Sequence, residues 1–462
     1  MTQPTNTIAA ISTPPGKGGV ALIRVSGSDA LAVAKRVFLP ASKKYIDTFP
    51  PRTQIYGYIT DDGERVDDVL LTYFPTPHSY TGEDTVEICC HGGIIVTRTV
   101  LETVLRAGAR YAEAGEFTRR AFLNGRLSLT EAEAIASLLE AQSREQIRLA
   151  SHTARGSLER EIGAIRSSLV ELMSSMYARI DYPDEDLGDF DDAELRERIT
   201  GIKRRADALL ATYKTGRAVA EGIPAVICGK PNVGKSSLYN LLVGEDAAIV
   251  TDIEGTTRDV LMRSVPLGRV ILNLADTAGI RGESSDAVER IGIEKSREMM
   301  HKCELLFAIF DISREFDSED ASLLNEISRL DCAKIALLNK CDAARKLDEK
   351  ALSGFDRVIR ISTKSDPLEC VKQLADAVNE MFTDEKINIG TDPIISSARQ
   401  YAALSRACDH LLEAERGISS GLAQDAVSSD VERALGAISE LDGRAVSEEI
   451  TADIFSKFCV GK

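Results

Sequence analysis

The nine residues GKPNVGKSS (229–237) carry the spacing G-x-x-x-x-G-K-[ST]. They follow an apolar run, IPAVICG (223–229), and precede a helical pattern, the context in which such a loop cradles phosphates. Its backbone NH groups, from Asn232 through Val233, Gly234 and Ser237, form the cradle. Lys235 is placed to reach the β and γ oxygens, and the Ser236 hydroxyl to ligate magnesium. Three short motifs then follow in a fixed order. DTAG (Asp276, Thr277, Ala278, Gly279) comes after a strand pattern, which puts Asp276 near the magnesium and the Gly279 NH near the γ-phosphate. NKCD closes a later strand with Asn339, Lys340 and Asp342. The Asp342 carboxylate can accept from the guanine N1–H and amino group, whereas adenine presents an acceptor there, a mismatch on the order of several kcal/mol. STK (Ser362, Thr363, Lys364) completes the base pocket. The ordered set predicts a site for GTP rather than ATP.

One residue breaks the pattern. Ras-like enzymes position the attacking water with Gln directly after this DTAG motif; here the position holds Ile280, which has no hydrogen-bonding group. Asn232 and the stretch TDIEGTTRD (251–259) resemble GTPases in which potassium stands where an arginine finger would place its charge. That resemblance implies Asn232, Thr251, Ile253 and Thr256 as potassium ligands, with Thr257 joining Ser236 on magnesium. Arg258 and Arg281 are alternative sources of charge, and also read as solvent-exposed arginines.

The elements that must hold these residues show three textures. Up to about residue 122, short β-like runs (GVALIRVSG, DVLLTYFP), an Asp62-Gly63 turn and one amphipathic stretch (IIVTRTVLETVLRAG) predict a small α+β domain. Long helical patterns follow over 123–216, opened by a capping box of Thr130 with Glu133 and interrupted by the acid-rich DYPDEDLGDF (181–190), which lacks calcium-loop spacing and reads as a solvated loop. From 217 to 382 strands alternate with helices, which predicts a mainly parallel sheet. Helical patterns return over 383–462, so an α/β domain is inserted into a helical domain whose halves must meet.

Composition narrows the setting. The net charge of −16 argues against a surface coated with phosphate-binding Lys and Arg, so any polyanion contact is local or shared with a partner. Nine cysteines without a C-x-x-C pair suit a reducing compartment, and five scattered histidines speak against zinc. No signal peptide or membrane span is legible, which predicts a cytoplasmic protein. The final CVGK fits a prenylation box poorly and leaves two alternatives, a reactive thiol at Cys459 or a frayed end.

Over its whole length the chain resembles the MnmE (TrmE) family of tRNA-modifying GTPases. TPPGKGGVALIRVSG, TGEDTVEICCHGG, GEFTRRAFLNGRLSLTEAEAI, AIVTDIEGTTRDV, DTAGIR with VERIGIEKS, and FCVGK carry the likeness. It implies a folate-binding N-terminal domain in which Arg24, Glu87, Arg126 and the final Lys462 contact a tetrahydrofolate derivative, 5,10-methylene- or 5-formyl-tetrahydrofolate. The family commonly has Lys where this chain has Arg126, which keeps the charge but changes its geometry. Glu289 takes the position implied to orient the hydrolytic water, and by spacing alone reads as an exposed helix glutamate. Cys459 is implied as a nucleophile toward uridine C6, although a cysteine in a helix-terminal segment is more often simply packed. The resemblance further implies a homodimer, a FAD-dependent partner (MnmG, also called GidA) in a heterotetramer, and installation of an aminomethyl or carboxymethylaminomethyl group at C5 of the tRNA wobble uridine. The rival expectation is a regulatory or ribosome-assembly GTPase that does no base chemistry and has no use for a folate pocket.

Overall fold

The computed structural model describes residues 6–42, 46–181, 192–244, 262–275, 298–444, 448–456 and 458–461. The chain divides into two compact units, Met1–Ala136 with Ser439–Lys462, and Ser137–Ile438. The acid-rich loop expected at 181–190 falls almost wholly outside the described residues.

In the first unit, strands β1 (Ile8–Ile11), β2 (Val20–Ser26), β3 (Phe38–Pro40), β4 (Gln54–Asp61), β5 (Glu64–Phe74), β6 (Thr85–His91) and β7 (Arg110–Tyr111) form one sheet in the order β3-β4-β5-β6-β2-β1-β7. Pairing is antiparallel throughout except β1 with β7. The β4–β5 turn uses Asp62 and Gly63, both at positive φ (48° and 86°), as a two-residue hairpin of this twist requires. Alternation along β2 and β6 sends Ile23, Val25, Val86 and Ile88 into a core with Val100, Leu101 and Val104 of the helix Ile94–Arg106. Arg24 and Glu87 therefore stand on the opposite face.

The tail is built into this unit. Phe455 and Phe458 are buried with Leu129 and Ala132, and the Phe455 ring lies 6.1 Å from Phe122. Val460 bridges Ala114, and the Ser12 hydroxyl donates to the Gly461 carbonyl at 2.9 Å. Two glycines make this approach possible: a Cβ would lie 2.3 Å from the Phe455 carbonyl oxygen at Gly115, and 2.2 Å from that of Ile11 at Gly461. The frayed-end alternative is thereby corrected, because buried rings and backbone bonds hold Phe455, Phe458, Val460 and Gly461. A second correction concerns the helix Leu129–Glu140. Its cap is Ser128 with Glu131, not Thr130 with Glu133: the Ser128 hydroxyl accepts from the Glu131 amide at 3.2 Å, and the Glu131 carboxylate from the Ser128 amide at 2.7 Å. Thr130 is the second residue of the helix and buried, two residues too late to cap.

In the second unit, β8 (Ile223–Gly229), β9 (Met262–Leu267), β10 (Val270–Ala275), β11 (Leu305–Asp311), β12 (Ala333–Asn339) and β13 (Arg357–Arg360) give a sheet of order β13-β12-β11-β8-β10-β9. All neighbours are parallel except β9 with β10. Every residue of β11 is buried, as expected of a central parallel strand. The helix Asp192–Leu210 packs on Ala398–Ser419, with Thr200 donating to Glu415 Oε1 at 2.9 Å. The helix Tyr213–Ala220 leads into β8, pinned by Arg217 to Glu304, by Tyr213 stacked on Tyr401 at 4.4 Å, and by Gly216, where a Cβ would meet the Ile395 carbonyl at 2.1 Å. Among the described residues no helix is long and apolar enough to cross a membrane.

A buried ion-pair network fixes the loop before β6 in the first unit. Glu116 accepts from Arg110 Nη1 and Arg120 Nη2, both at 2.9 Å, and Arg120 also bonds Glu83 Oε2 at 3.0 Å and Asn6 at 3.0 Å. Burial pushes the Glu116 carboxyl up, but the Arg110 guanidinium, the Glu113 amide and Arg120 outweigh it and hold the group at about 2. Its contribution to stability is therefore full above about 4.5, the ordinary value, and fades as pH falls toward about 2. Glu116→Gln should cost roughly 3 kcal/mol in urea unfolding at pH 7, since it leaves two arginines short of a partner. The deficit should shrink across that acid window, and a pH-independent deficit would contradict the assignment.

Candidate functional site

The parallel register of the second sheet brings the ends of β8, β11 and β12 to one edge, the edge at which open α/β sheets bind ligands. The phosphate loop turns out of β8 at Gly229 (φ +145°), passes Asn232 in the left-handed region (φ 65°) and Gly234 (φ +110°), and enters the helix Lys235–Val243. A Cβ at Gly234 would lie 2.1 Å from Asn339 Nδ2, and one at Gly229 would lie 2.5 Å from the Ile309 carbonyl. Only glycine fits either place. Lys235 Nζ donates to the carbonyls of Gly229 (2.8 Å) and Lys230 (2.6 Å), which keeps its charge folded over the mouth of the loop. Ser236 and Ser237 are exposed at the start of the helix, as is the Asn232 side chain. Helix-start amides together with an ammonium suit an anionic phosphate.

Asn339 joins this loop to the others. Its Nδ2 donates to the Val233 carbonyl at 2.8 Å, and its Oδ1 accepts from the Thr363 amide (3.2 Å) and hydroxyl (3.3 Å). Lys340, held at φ 65°, reaches back to the Asn232 carbonyl (3.2 Å) and to Asp311 Oδ2 (2.5 Å). The Ser362 hydroxyl donates to Asp342 Oδ1 at 2.7 Å and accepts from the Ser365 amide. That hydroxyl, followed by a backbone amide, holds the exposed Asp342 carboxyl below its ordinary value, so it stays an acceptor at neutral pH. The structure thus brings Asn232, Val233, Gly234, Lys235, Asn339, Lys340, Asp342, Ser362 and Thr363 to one edge, with Lys364 beside them in sequence. Thr251, Ile253, Thr256, Thr257, Arg258, Asp276, Thr277, Ala278, Gly279, Ile280, Arg281 and Glu289 lie outside the described residues.

On the first unit, Arg24 and Glu87 are cross-strand partners, and Arg24 Nε and Nη2 both donate to Glu87 Oε1, at 3.0 and 2.8 Å. The guanidinium lies 5.1 Å from the Tyr80 ring and 5.7 Å from the Phe117 ring. The cation, the carboxylate and the half-buried Tyr80 ring, backed by the fully buried Phe117, suit a flat heterocycle with amide-like edges. Arg126 is exposed and its stem lies against Gly82 in the loop leading to Glu87. Cys459 is an exposed free thiol, and Lys462 lies outside the described residues. Sequence reasoning missed Lys230, Asp311, Tyr80 and Phe117: none stands in a motif as a ligand, and their partners lie far away in the chain.

The model "GTP-binding protein TrmE N-terminus" matches residues 7–126, and the "MnmE helical domain" matches 129–459. The "tRNA modification GTPase MnmE" of Clostridioides difficile (strain 630) is 38% identical over 99% of each chain, and that of Heliobacterium modesticaldum (strain ATCC 51547 / Ice1) is 41% identical, also over 99% of each. Among solved structures, Era in complex with MgGDPNP and a 16S ribosomal RNA segment covers 40% of this chain and 65% of its own at 21% identity and TM-score 0.27, too distant to bear on the assignment. Matched along both units and to relatives over nearly their whole length, the chain belongs to the MnmE family.

Proposed function

We infer that this chain hydrolyses GTP in the service of tRNA modification, the activity for which its relatives are named. The observation that carries the guanine assignment is Asp342: an exposed, ionised carboxylate set by Ser362 beside a loop that Asn339 ties to the phosphate cradle. Two parallel acceptors match the guanine N1–H and amino donors, whereas adenine presents an acceptor there and would leave the carboxylate unmatched. Ser236, exposed at the helix start, and Thr257 would hold magnesium, which when bound offsets charge on the phosphate oxygens.

The finer reading has four parts. Asn232, Thr251, Ile253 and Thr256 would hold a potassium ion; the left-handed Asn232 with its exposed side chain supports this. Glu289 orients the water that Ile280 cannot. Arg24, Glu87, Arg126 and Lys462 bind 5,10-methylene- or 5-formyl-tetrahydrofolate; in support, the Arg24–Glu87 pair sits against two rings, and the docked tail brings Gly461, the residue before Lys462, to Ile11 and Ser12. Cys459 is exposed and available as a nucleophile toward uridine C6. In this reading the chain works as a homodimer with the flavin-dependent partner MnmG, placing an aminomethyl-type group at C5 of the wobble uridine.

Two outcomes test these roles. GTP hydrolysis should run roughly tenfold or more faster in potassium than in sodium, a difference that Asn232→Ala removes; equal rates in the wild type would return attention to Arg258 and Arg281. Lys462→Ala should weaken folate binding by about 10- to 100-fold, the worth of a charge-assisted contact, with GTP hydrolysis retained. Unchanged folate affinity, measured by calorimetry, would remove Lys462 from the site.

A further inference from the structure

Lys230 follows the first glycine of the phosphate loop, yet its ammonium turns away from the loop. Nζ pairs with Asp317 and with Asp320 Oδ2 at 3.1 Å, and Glu319 Oε2 lies 3.8 Å off. Both aspartates cap the helix Ser318–Ser328. Asp317 accepts from the amides of Glu319 (2.9 Å) and Asp320 (3.1 Å), and Asp320 returns an acceptor to the Asp317 amide at 3.2 Å. The Lys230 and Asp320 side chains are only 16% and 12% exposed, so the pair is not a solvated surface contact of negligible worth. Its stem thus fastens the first turn of the loop to a rigid helix start far away in sequence. The Lys230 carbonyl meanwhile accepts from Lys235 Nζ at 2.6 Å, so the anchored residue is also the one on which the loop's ammonium rests.

The opposite end of the loop is already held by Asn339 on the Val233 carbonyl and Lys340 on the Asn232 carbonyl. We propose that Lys230 is a positioning residue of the nucleotide site, whose ion pairs with Asp317 and Asp320 hold the phosphate loop in its binding conformation before nucleotide arrives. The proposal rests on the guanine-nucleotide reading of the site. A loop ordered in advance spares the ligand that cost; an unlatched loop is competent for a smaller fraction of the time, and apparent affinity falls by that fraction. Because the latch acts on the loop and touches no phosphate, GDP and GTP lose affinity equally. A lysine bonded to the γ-phosphate would instead separate the two.

The test measures binding of mant-GDP and mant-GTP to the full chain with magnesium, alongside steady-state GTP hydrolysis. It compares the wild type with Lys230→Met, Lys230→Arg, Asp320→Asn and the Lys230→Met/Asp320→Asn double variant. Lys230→Met should raise both dissociation constants by about five- to tenfold, raise KM in step and leave kcat within about twofold, the pattern of lost uniform binding. Lys230→Arg should restore most of the affinity. Asp320→Asn, which leaves the loop's own sequence intact and keeps a residue able to cap, should weaken both nucleotides in the same way, and the double variant should be no weaker than Lys230→Met. Unchanged affinity in Lys230→Met, a loss confined to mant-GTP, or additive losses in the double variant would overturn the latch. A wild-type chain that retains neither nucleotide would instead overturn the guanine reading on which the latch rests.

Discussion

The nucleotide edge depends on the close approach of Gly234 to the amide of Asn339. With no side chain at Gly234, Nδ2 comes near enough to bond the Val233 carbonyl, while Oδ1 takes both donors of Thr363. One buried side chain at the end of β12 thereby fixes the phosphate loop and the base loop relative to each other. Lys340 adds a second tie through Asn232, and its left-handed backbone is held by the ion pair to Asp311 at the end of β11. Each tie starts from a strand end, so the register of the parallel sheet sets the geometry of the site.

The first unit uses the same device on its tail. Gly115 and Gly461 let two backbones come closer than any Cβ would allow, and the buried Phe455 and Phe458 supply the apolar contact that keeps them there. Backbone and ring contacts thus position residue 461, while Cys459 between them stays exposed. In the same unit the Glu116 network fixes Glu83, whose carboxylate also accepts from Ser26, so the loop before Glu87 is braced from both sides.

Much of this was legible in the sequence where one strong pattern acts alone. IPAVICG, ELLFAIFD and KIALLNK are buried on both faces and read as continuous apolar runs, and Asp62-Gly63 named its own hairpin. Edge strand β9 was not legible: MRSVPL is short, mostly exposed and carries Pro266, which an edge tolerates and a pattern search discounts. The cap at Ser128 slipped by two residues because Ser128–Glu131 and Thr130–Glu133 have the same spacing, and only burial of Thr130 separates them. The motifs located the nucleotide residues, but Lys230 with Asp317 and Arg24 with Glu87 pair across long sequence separations to which periodicity is blind. Charged residues read as solvated by default, and only the fold reveals which ones are held.

The central claim is that a guanine nucleotide site of this geometry serves tRNA modification. It is tested most directly by mass spectrometry of wobble-position nucleosides in tRNA from cells lacking this gene, complemented by the wild type or by Asp342→Asn, which replaces one guanine acceptor with a donor. The account predicts that the C5 aminomethyl-type group disappears with the gene, returns with the wild type and fails to return with Asp342→Asn. An unchanged nucleoside profile without the gene, or full restoration by Asp342→Asn, would contradict it.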